Sequence, residues 1–450
     1  MPGRIGERPE EICGFPAMPV RARRPTVVMM SEAGGQPREG LRVVILGGGV
    51  AGLETLLALR DLAGDRVDIE LVAPEPHFWY RPLAVVEPFE PTRAPHFELG
   101  AIADELGARF TLGAADSVDV DARVLRTSAS AEIAYDFLVL AAGARPEPAL
   151  DHAFTFRGPA DAEGFYTLLH EAAAGAFESL LFAVPSGTAW PLPLYKLALQ
   201  TSAFLRERTC TISLTFVTPE PHPLAIFGAE ASGAIERLLE ENELVLYTER
   251  HAAAAEHGVL LLAPEGRIPF DRLVALPRLR GATVRGIPQD AHGFVPTDQN
   301  GLVHGLDDVY AAGDITTFPV KQDGIATQQA DAVAAAIARL AGASVDPAPF
   351  RPVLRGLLLT GGSPAYLRAE LSGGRGLASK ANAEPLWWPP GKIVGRYPAP
   401  FSAARATLPR PPAGAGTVPV EVELSSPGIG SPLVLGATSR LFAAASGLSR

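Results

Sequence analysis

Three glycines at a fixed spacing are the first residues in this chain able to do chemistry. Gly47, Gly49 and Gly52 fall in LGGGVAG and fit G-x-G-x-x-G, with Ala51 part of the same candidate cradle. In that pattern the first glycine permits a tight turn, the second lets a pyrophosphate approach the main chain, and the third lets a helix pack closely on a strand. The phosphate would sit on backbone N–H groups at the helix N-terminus. The flanking residues supply the parts, since LRVVIL reads as a strand and LETLLALRDLA as a helix. Glycine-rich turns also occur without a ligand; strand before and helix after favour the phosphate reading.

Further along, more residues fit the same chemistry. A second strand is expected at Val67 to Val72, and the fingerprint calls for a carboxylate about 20 positions on to hold ribose hydroxyls. That strand runs into Ala73, so Glu75 is the nearest carboxylate, equally readable as a ribose ligand or a solvated loop residue. Phe137 to Ala142 is a continuous apolar run, the mark of a buried parallel strand, and Gly143 after it would let a cofactor pass close to the main chain. Val309 to Ala312 leads into Gly313 and Asp314, then into a long alanine-rich helix. Ligands of open parallel sheets bind outside the carboxyl ends of the strands; there Asp314 could hydrogen-bond a polyol or simply cap a turn.

These pieces need a large frame. A chain of 450 residues exceeds one hydrophobic core and implies two or three domains. With 47% hydrophobic and 20% charged residues it reads as globular. The net charge of -11, from 50 acidic against 39 basic side chains, repels a phosphate backbone and argues against nucleic acid. Cys13 and Cys210 give neither a disulfide framework nor a metal cluster, and Cys210, in RTCTISLTFV, reads as an inert residue of a buried strand. Residues 1 to 40 read as a disordered leader without a secretory core, and no run suits a membrane span. A cytoplasmic location is expected.

The sequence repeats itself. LVAPEPH at Leu71 recurs as FVTPEPH at Phe216, and YDFLV at Tyr135 recurs as FDRLV at Phe270. Two nucleotide-binding folds of α/β class follow, the second inserted in the first. The copies diverge at the turn: laid over LGGGVAG, VPSGTAW puts Pro185 at the first glycine and Trp190 at the third, and keeps Gly187. Proline removes an N–H, and an indole prevents close helix-strand packing. An ordinary nicotinamide nucleotide site is therefore not expected in the second copy, and Trp190 reads as core filling.

Taken together, GGGVAG, HFWYRP at His77 to Pro82, YDFLVLAAG, FDRLVALPRLRG and VYAAGD followed by ATQQA resemble the FAD-dependent pyridine nucleotide-disulfide oxidoreductases. The likeness is to their sulfide:quinone oxidoreductase and type II NADH dehydrogenase branch, over about residues 41 to 345. It implies tandem Rossmann-like domains, the FAD domain at 41–156 and 280–345, a degenerate NAD(P)-binding-like domain at 157–279, and a C-terminal region at 346–450. It implies FAD held by Gly47, Gly49, Ala51 and Gly52 at the diphosphate, Ala142 and Gly143 along the adenosine, and Gly313 and Asp314 at the ribityl chain. A helix after Thr327 would point its positive end at the flavin. Glu75, Arg81, Thr327 and Gln328 join the candidate cofactor set.

The resemblance fails at the redox thiols. Sulfide oxidisers of this superfamily relay electrons through cysteines near the flavin, and no suitable pair exists here. Lys321 and Gln328 are the candidate catalytic residues, with Gln322, Gln329 and the run Phe78, Trp79, Tyr80 and Arg81 as further lining. The resulting expectation is an FAD enzyme passing two electrons from a small-molecule donor to an acceptor such as a quinone. A type II NADH dehydrogenase and a flavin-binding sensor without turnover stand as alternatives. The region after Val345 is expected to be irregular and to lie over the flavin domain. Its Trp387, Trp388 and Lys392 suit either a peripheral membrane belt at the inner face or a core cover.

Overall fold

The computed structural model describes residues 40–79, 84–89, 96–372, 375–382, 384, 386 and 395–405. The leader up to residue 39, Tyr80, Arg81, Trp387, Trp388 and Lys392 lie outside the described residues.

Aliphatic runs with both faces covered make the first sheet. Its five parallel strands follow the order Val309–Ala311, Phe137–Leu140, Leu41–Leu46, Val67–Ala73, Arg109–Leu112. The central strand is apolar without alternation because each face meets a layer. Val43 and Ile45 pack with the helices Val50–Ala63 and Asp323–Leu340, while Val44 and Leu46 pack on the other side with Val118 and Leu125. Those last two belong to a small antiparallel sheet of Ala115–Asp119, Val124–Thr127 and Glu132–Ala134. Burial of each such side chain stabilises the fold by roughly 1.5–3 kcal/mol.

A second five-stranded parallel sheet repeats the order: Phe154–Thr155, Arg272–Ala275, Ser179–Ala183, Ser213–Val217, Leu244–Tyr247. In both sheets the first strand of the repeat is central, with the second and the YDFLV or FDRLV strand at its sides. The segments leading into and out of the second sheet pair with each other, Ala144–Glu147 antiparallel to Arg278–Gly281, and Arg280 meets Glu147 at 2.9 Å. Such a ribbon is what an insertion needs: one exit and one return held side by side. Cys210 corrects one expectation. It precedes the Ser213–Val217 strand and is half-buried, its thiol donating to the Ala173 carbonyl at 3.2 Å.

The C-terminal region also differs from expectation. It forms a regular antiparallel sheet of Val353–Leu358, Ala365–Ser372 and Arg375–Asn382. Leu354, Leu358, Leu367 and Ala369 enter a core with Phe216, Phe227 and Leu192 of the second fold, and the same sheet meets the Asp323–Leu340 helix of the first fold through Gln328 and Gln322. A final helix, Pro398–Arg405, packs on Val50–Ala63.

Candidate functional site

Gly47 begins the site at the end of the central strand. Its N–H donates to Val72 O at 2.8 Å and its φ of +122° lies where side chains rarely go. An added Cβ would stand 2.2 Å from Ala141 O, so the turn presses on the neighbouring strand. At Gly52 an added Cβ would lie 1.8 Å from Gly47 O, which closes the helix onto the turn. Gly49 differs, because nothing lies within 4 Å of its would-be Cβ. It caps the Val50–Ala63 helix without a side-chain hydrogen bond, leaving the first-turn N–H groups to whatever enters the space beside them.

That space is a cavity of about 460 Å³. Gly47, Gly49, Ala51, Glu75, Ala142, Gly143, Gly313 and Asp314 all line it. Gly143, at φ +70°, also has open space where a Cβ would be. Gly313 closes the floor: its Cβ would meet Ala51 Cβ at 2.9 Å and Ala326 Cβ at 3.4 Å. Gln329 fixes this point by accepting from Gly313 N at 2.8 Å. Glu75 is exposed at the rim. Phe78 and Trp79 both line the cavity, Phe78 as a buried core residue and Trp79 stacked on His96 at 4.7 Å. A diphosphate with a polyol and a nucleoside fits this donor set, in which Gly47, Gly52 and Gly313 are closed by contact and Gly49 and Gly143 are open to a ligand.

The Asp323–Leu340 helix begins one turn before Thr327. Thr327 is therefore inside the helix, donating to Gly324 O at 3.0 Å, and the cap is Gln322, whose amide oxygen accepts from Ile325 N at 3.0 Å. Gln328 also departs from its expected role. Its amide accepts from Val353 N and donates to Val353 O, both at 2.9 Å, so it ties helix to sheet and is a positioning residue. Lys321 does face a cavity, but a second one.

This second cavity, of about 220 Å³, lies at the same helix N-terminus, and Asp323 lines both. Val85, Phe156, Trp190, Leu192, Leu276 and Leu357 give it apolar walls, and Arg157, Lys196, Lys321 and Arg355 bring positive charge. Lys321 is buried, hydrogen-bonds Thr316 O, and stands 4.1 Å above the Phe294 ring. Burial lowers its ammonium to about 8 against the pull of Asp314 and Asp290. Lys196 is likewise buried and lowered to about 8, with Asp323 opposing the shift. Sequence reasoning missed Lys196, Arg157 and Arg355. A lysine within the apolar helical pattern LPLYKLALQ was the available signal.

In the second fold the equivalent nucleotide turn is altered, although nothing lies within 4 Å of a Cβ built at Gly187, the counterpart of Gly49. Pro185 and Trp190 hold the glycine positions, and Trp190 packs on Phe227 with ring centroids 5.7 Å apart. Glu220, the counterpart of Glu75, is half-buried and accepts from Tyr195 Oη at 2.7 Å and Thr218 Oγ1 at 2.9 Å. Burial raises its carboxyl, and both hydrogen bonds fall on Oε2.

The structure holds tandem Rossmann-like folds, the first with a glycine cradle open at Gly49 and Gly143. The family model for pyridine nucleotide-disulphide oxidoreductase matches residues 41–176. The chain is 29% identical over 292 residues to the sulfide-quinone reductase of Aquifex aeolicus, 62% of this chain and 63% of that one, so it spans under two thirds of that relative. It is 28% identical over 297 residues to an NADH dehydrogenase-like protein of Mycobacterium tuberculosis, 61% of this chain and 72% of that one. Among solved structures, the Aquifex aeolicus sulfide:quinone oxidoreductase superposes with a TM-score of 0.70 at 21% identity, covering 76% of this chain and 87% of that one. A ferredoxin reductase from Rhodopseudomonas palustris gives 0.57 at 20%, covering 74% and 83%. Residues 41–176 are thus similar to the pyridine nucleotide-disulphide oxidoreductase family, and the fold is that of the Aquifex aeolicus structure.

Proposed function

We propose that this chain is an FAD-dependent oxidoreductase that takes two electrons from a small-molecule donor and gives them to a quinone. The observation that carries the reading is the asymmetric cradle: Gly47 and Gly52 closed by backbone contact, Gly49 and Gly143 open to a ligand. FAD bound there supplies a two-electron carrier. Gly47, Gly49, Ala51 and Gly52 would hold the diphosphate, Glu75 the ribose, Ala142 and Gly143 the adenosine side, and Gly313 and Asp314 the ribityl chain. The Asp323 helix N-terminus and Lys321 place positive charge where the cavities meet, which favours negative charge there. The likeness to a sulfide-quinone reductase supports a quinone acceptor. Sulfide as donor lacks the thiol relay, since the chain has two cysteines in all.

NADH as donor is the second reading, favoured by the likeness to NADH dehydrogenase-like proteins. Pro185, Trp190 and the engaged Glu220 oppose it. Visible spectroscopy with anaerobic titration separates the two. A flavin spectrum that NADH, NADPH and sulfide leave unbleached, with turnover of quinone analogues once a reducing donor is supplied, is the expected result. A colourless protein that takes up no FAD overturns the proposal, and rapid bleaching by NADH replaces the first reading with the second.

A further inference from the structure

Lys196 lies in an unusual position on the Leu192–Glu207 helix. It is 6% exposed, and no described residue accepts a hydrogen bond or completes an ion pair with its ammonium. Buried lysines are almost always paired. Arg355 approaches from the C-terminal sheet: it is half-buried, and its guanidinium makes no hydrogen bond or salt bridge to a described residue. The other two cations of the cavity are engaged, Arg157 by Asp161 at 2.6 Å and Lys321 by Thr316 O. Among the described residues Asp323 is the one carboxylate in the lining, and it attracts the Lys196 ammonium. Lys196, answered only by the longer-range pull of Asp323, and Arg355 therefore face one cavity with apolar walls, and an anion would give each a direct partner.

We propose that the 220 Å³ cavity receives a small organic carboxylate, its anionic end held by Lys196 and Arg355 and its apolar body against Val85, Trp190 and Leu276. The volume is below the ~300–1,000 Å³ of drug-sized sites, so the ligand is a single ring or a short chain. An arginine from a strand and a lysine from a helix converge as an unlike pair, the first suited to a bidentate carboxylate contact and the second to a point charge. Burial depresses both groups, as expected of cations that lack a direct partner. This rests on the proposed function only in naming the ligand a substrate or substrate analogue.

The test titrates the purified FAD-loaded protein with benzoate and with its neutral isostere benzamide, by calorimetry and by perturbation of the visible spectrum. Benzoate should bind at least tenfold more tightly than benzamide. K196M and R355M should each weaken benzoate more than tenfold and leave benzamide within twofold, and K196R should restore most of the loss. Thermal midpoints and FAD content show that the variants fold; should K196M not fold, R355M and K196R carry the comparison. Equal affinity for both ligands, no benzoate binding at millimolar concentration, or unchanged binding in folded variants overturns the inference. A yellow protein that turns over quinones and ignores benzoate refutes this site alone. A colourless protein refutes the function above, while calorimetry still reads the anion.

Discussion

Substituting Gly49 and Gly52 separately by alanine divides ligand contact from packing. At Gly52 the new carbon would sit 1.8 Å from Gly47 O, while real Cβ contacts stop near 3.0 Å, so carbonyl or helix must retreat by more than an ångström. Overpacking of this kind costs about 1–3 kcal/mol or more, and the higher helix propensity of alanine returns only about 1 kcal/mol. G52A should therefore lower the thermal midpoint of the apoprotein by a few degrees and distort the turn that binds. At Gly49 the backbone φ is -83°, open to any residue, and no atom lies within 4 Å. G49A should change apoprotein stability by less than about 1 kcal/mol. Its methyl group instead takes cavity space beside the helix N-terminus. Losing one charge-assisted hydrogen bond to the diphosphate, worth about 1.5–3 kcal/mol, weakens FAD roughly ten- to hundredfold. Apoprotein melting and quenching of added FAD fluorescence measure the two effects. Wild-type FAD affinity in G49A, or a G52A apoprotein as stable as the parent, would refute the reasoning.

Further outcomes follow from contacts elsewhere. The double variant P185G/W190G should still show no NADH bleaching in stopped-flow traces, because Tyr195 keeps Glu220 occupied at 2.7 Å; a gain would mean the turn alone bars the nucleotide. Y195F leaves half-buried Glu220 short of a donor and should destabilise by about 1–3 kcal/mol in denaturant titrations, with FAD content unchanged. Q328L severs both bonds to Val353 and should lower stability by a similar amount without moving the flavin spectrum. Glu54 and Asp331 form a buried carboxyl pair whose burial holds both above the usual carboxylate range. A raised acid favours the folded state while protonated, so that stability is present at low pH and falls as pH rises above about 4. D331N should flatten the fall in melting temperature toward neutrality, and an unaltered pH profile would rule the pair out.

The cradle was legible because its signals are local. A strand buried on both faces must be apolar throughout, and a turn that meets backbone at 1.8 Å must be glycine. Pairing of the Ala144 and Arg278 segments, by contrast, joins residues more than 130 positions apart, and only the repeat hinted at it. The C-terminal sheet was misjudged although Gly361-Gly362 marks the turn between its first two strands, because the proline- and glycine-rich texture of the region read as irregular. Gln328 misled for a related reason: its spacing from Asp314 is fixed by the helix, but which partner its amide finds depends on Val353, which reaches it from a separate element.

Equivalent positions in the two folds share sequence but not surroundings, and that difference decides which fold can bind a dinucleotide. Glu75 and Glu220 occupy the same PEPH turn. One stands exposed at a cavity rim, and the other is half-buried and bonded to Tyr195, a residue of the very helix that a nucleotide would approach. Trp190 and Leu192, at the start of that helix, line the second cavity instead, as does Lys196 one turn further on. The duplicate thus alters its own nucleotide turn and presents the same helix to a space that touches the cradle's partner helix at Asp323. If that is the division of labour, K196M should alter ligand affinity and leave FAD affinity alone, whereas G49A should do the reverse. Both variants losing FAD together would show that the two cavities act as one site.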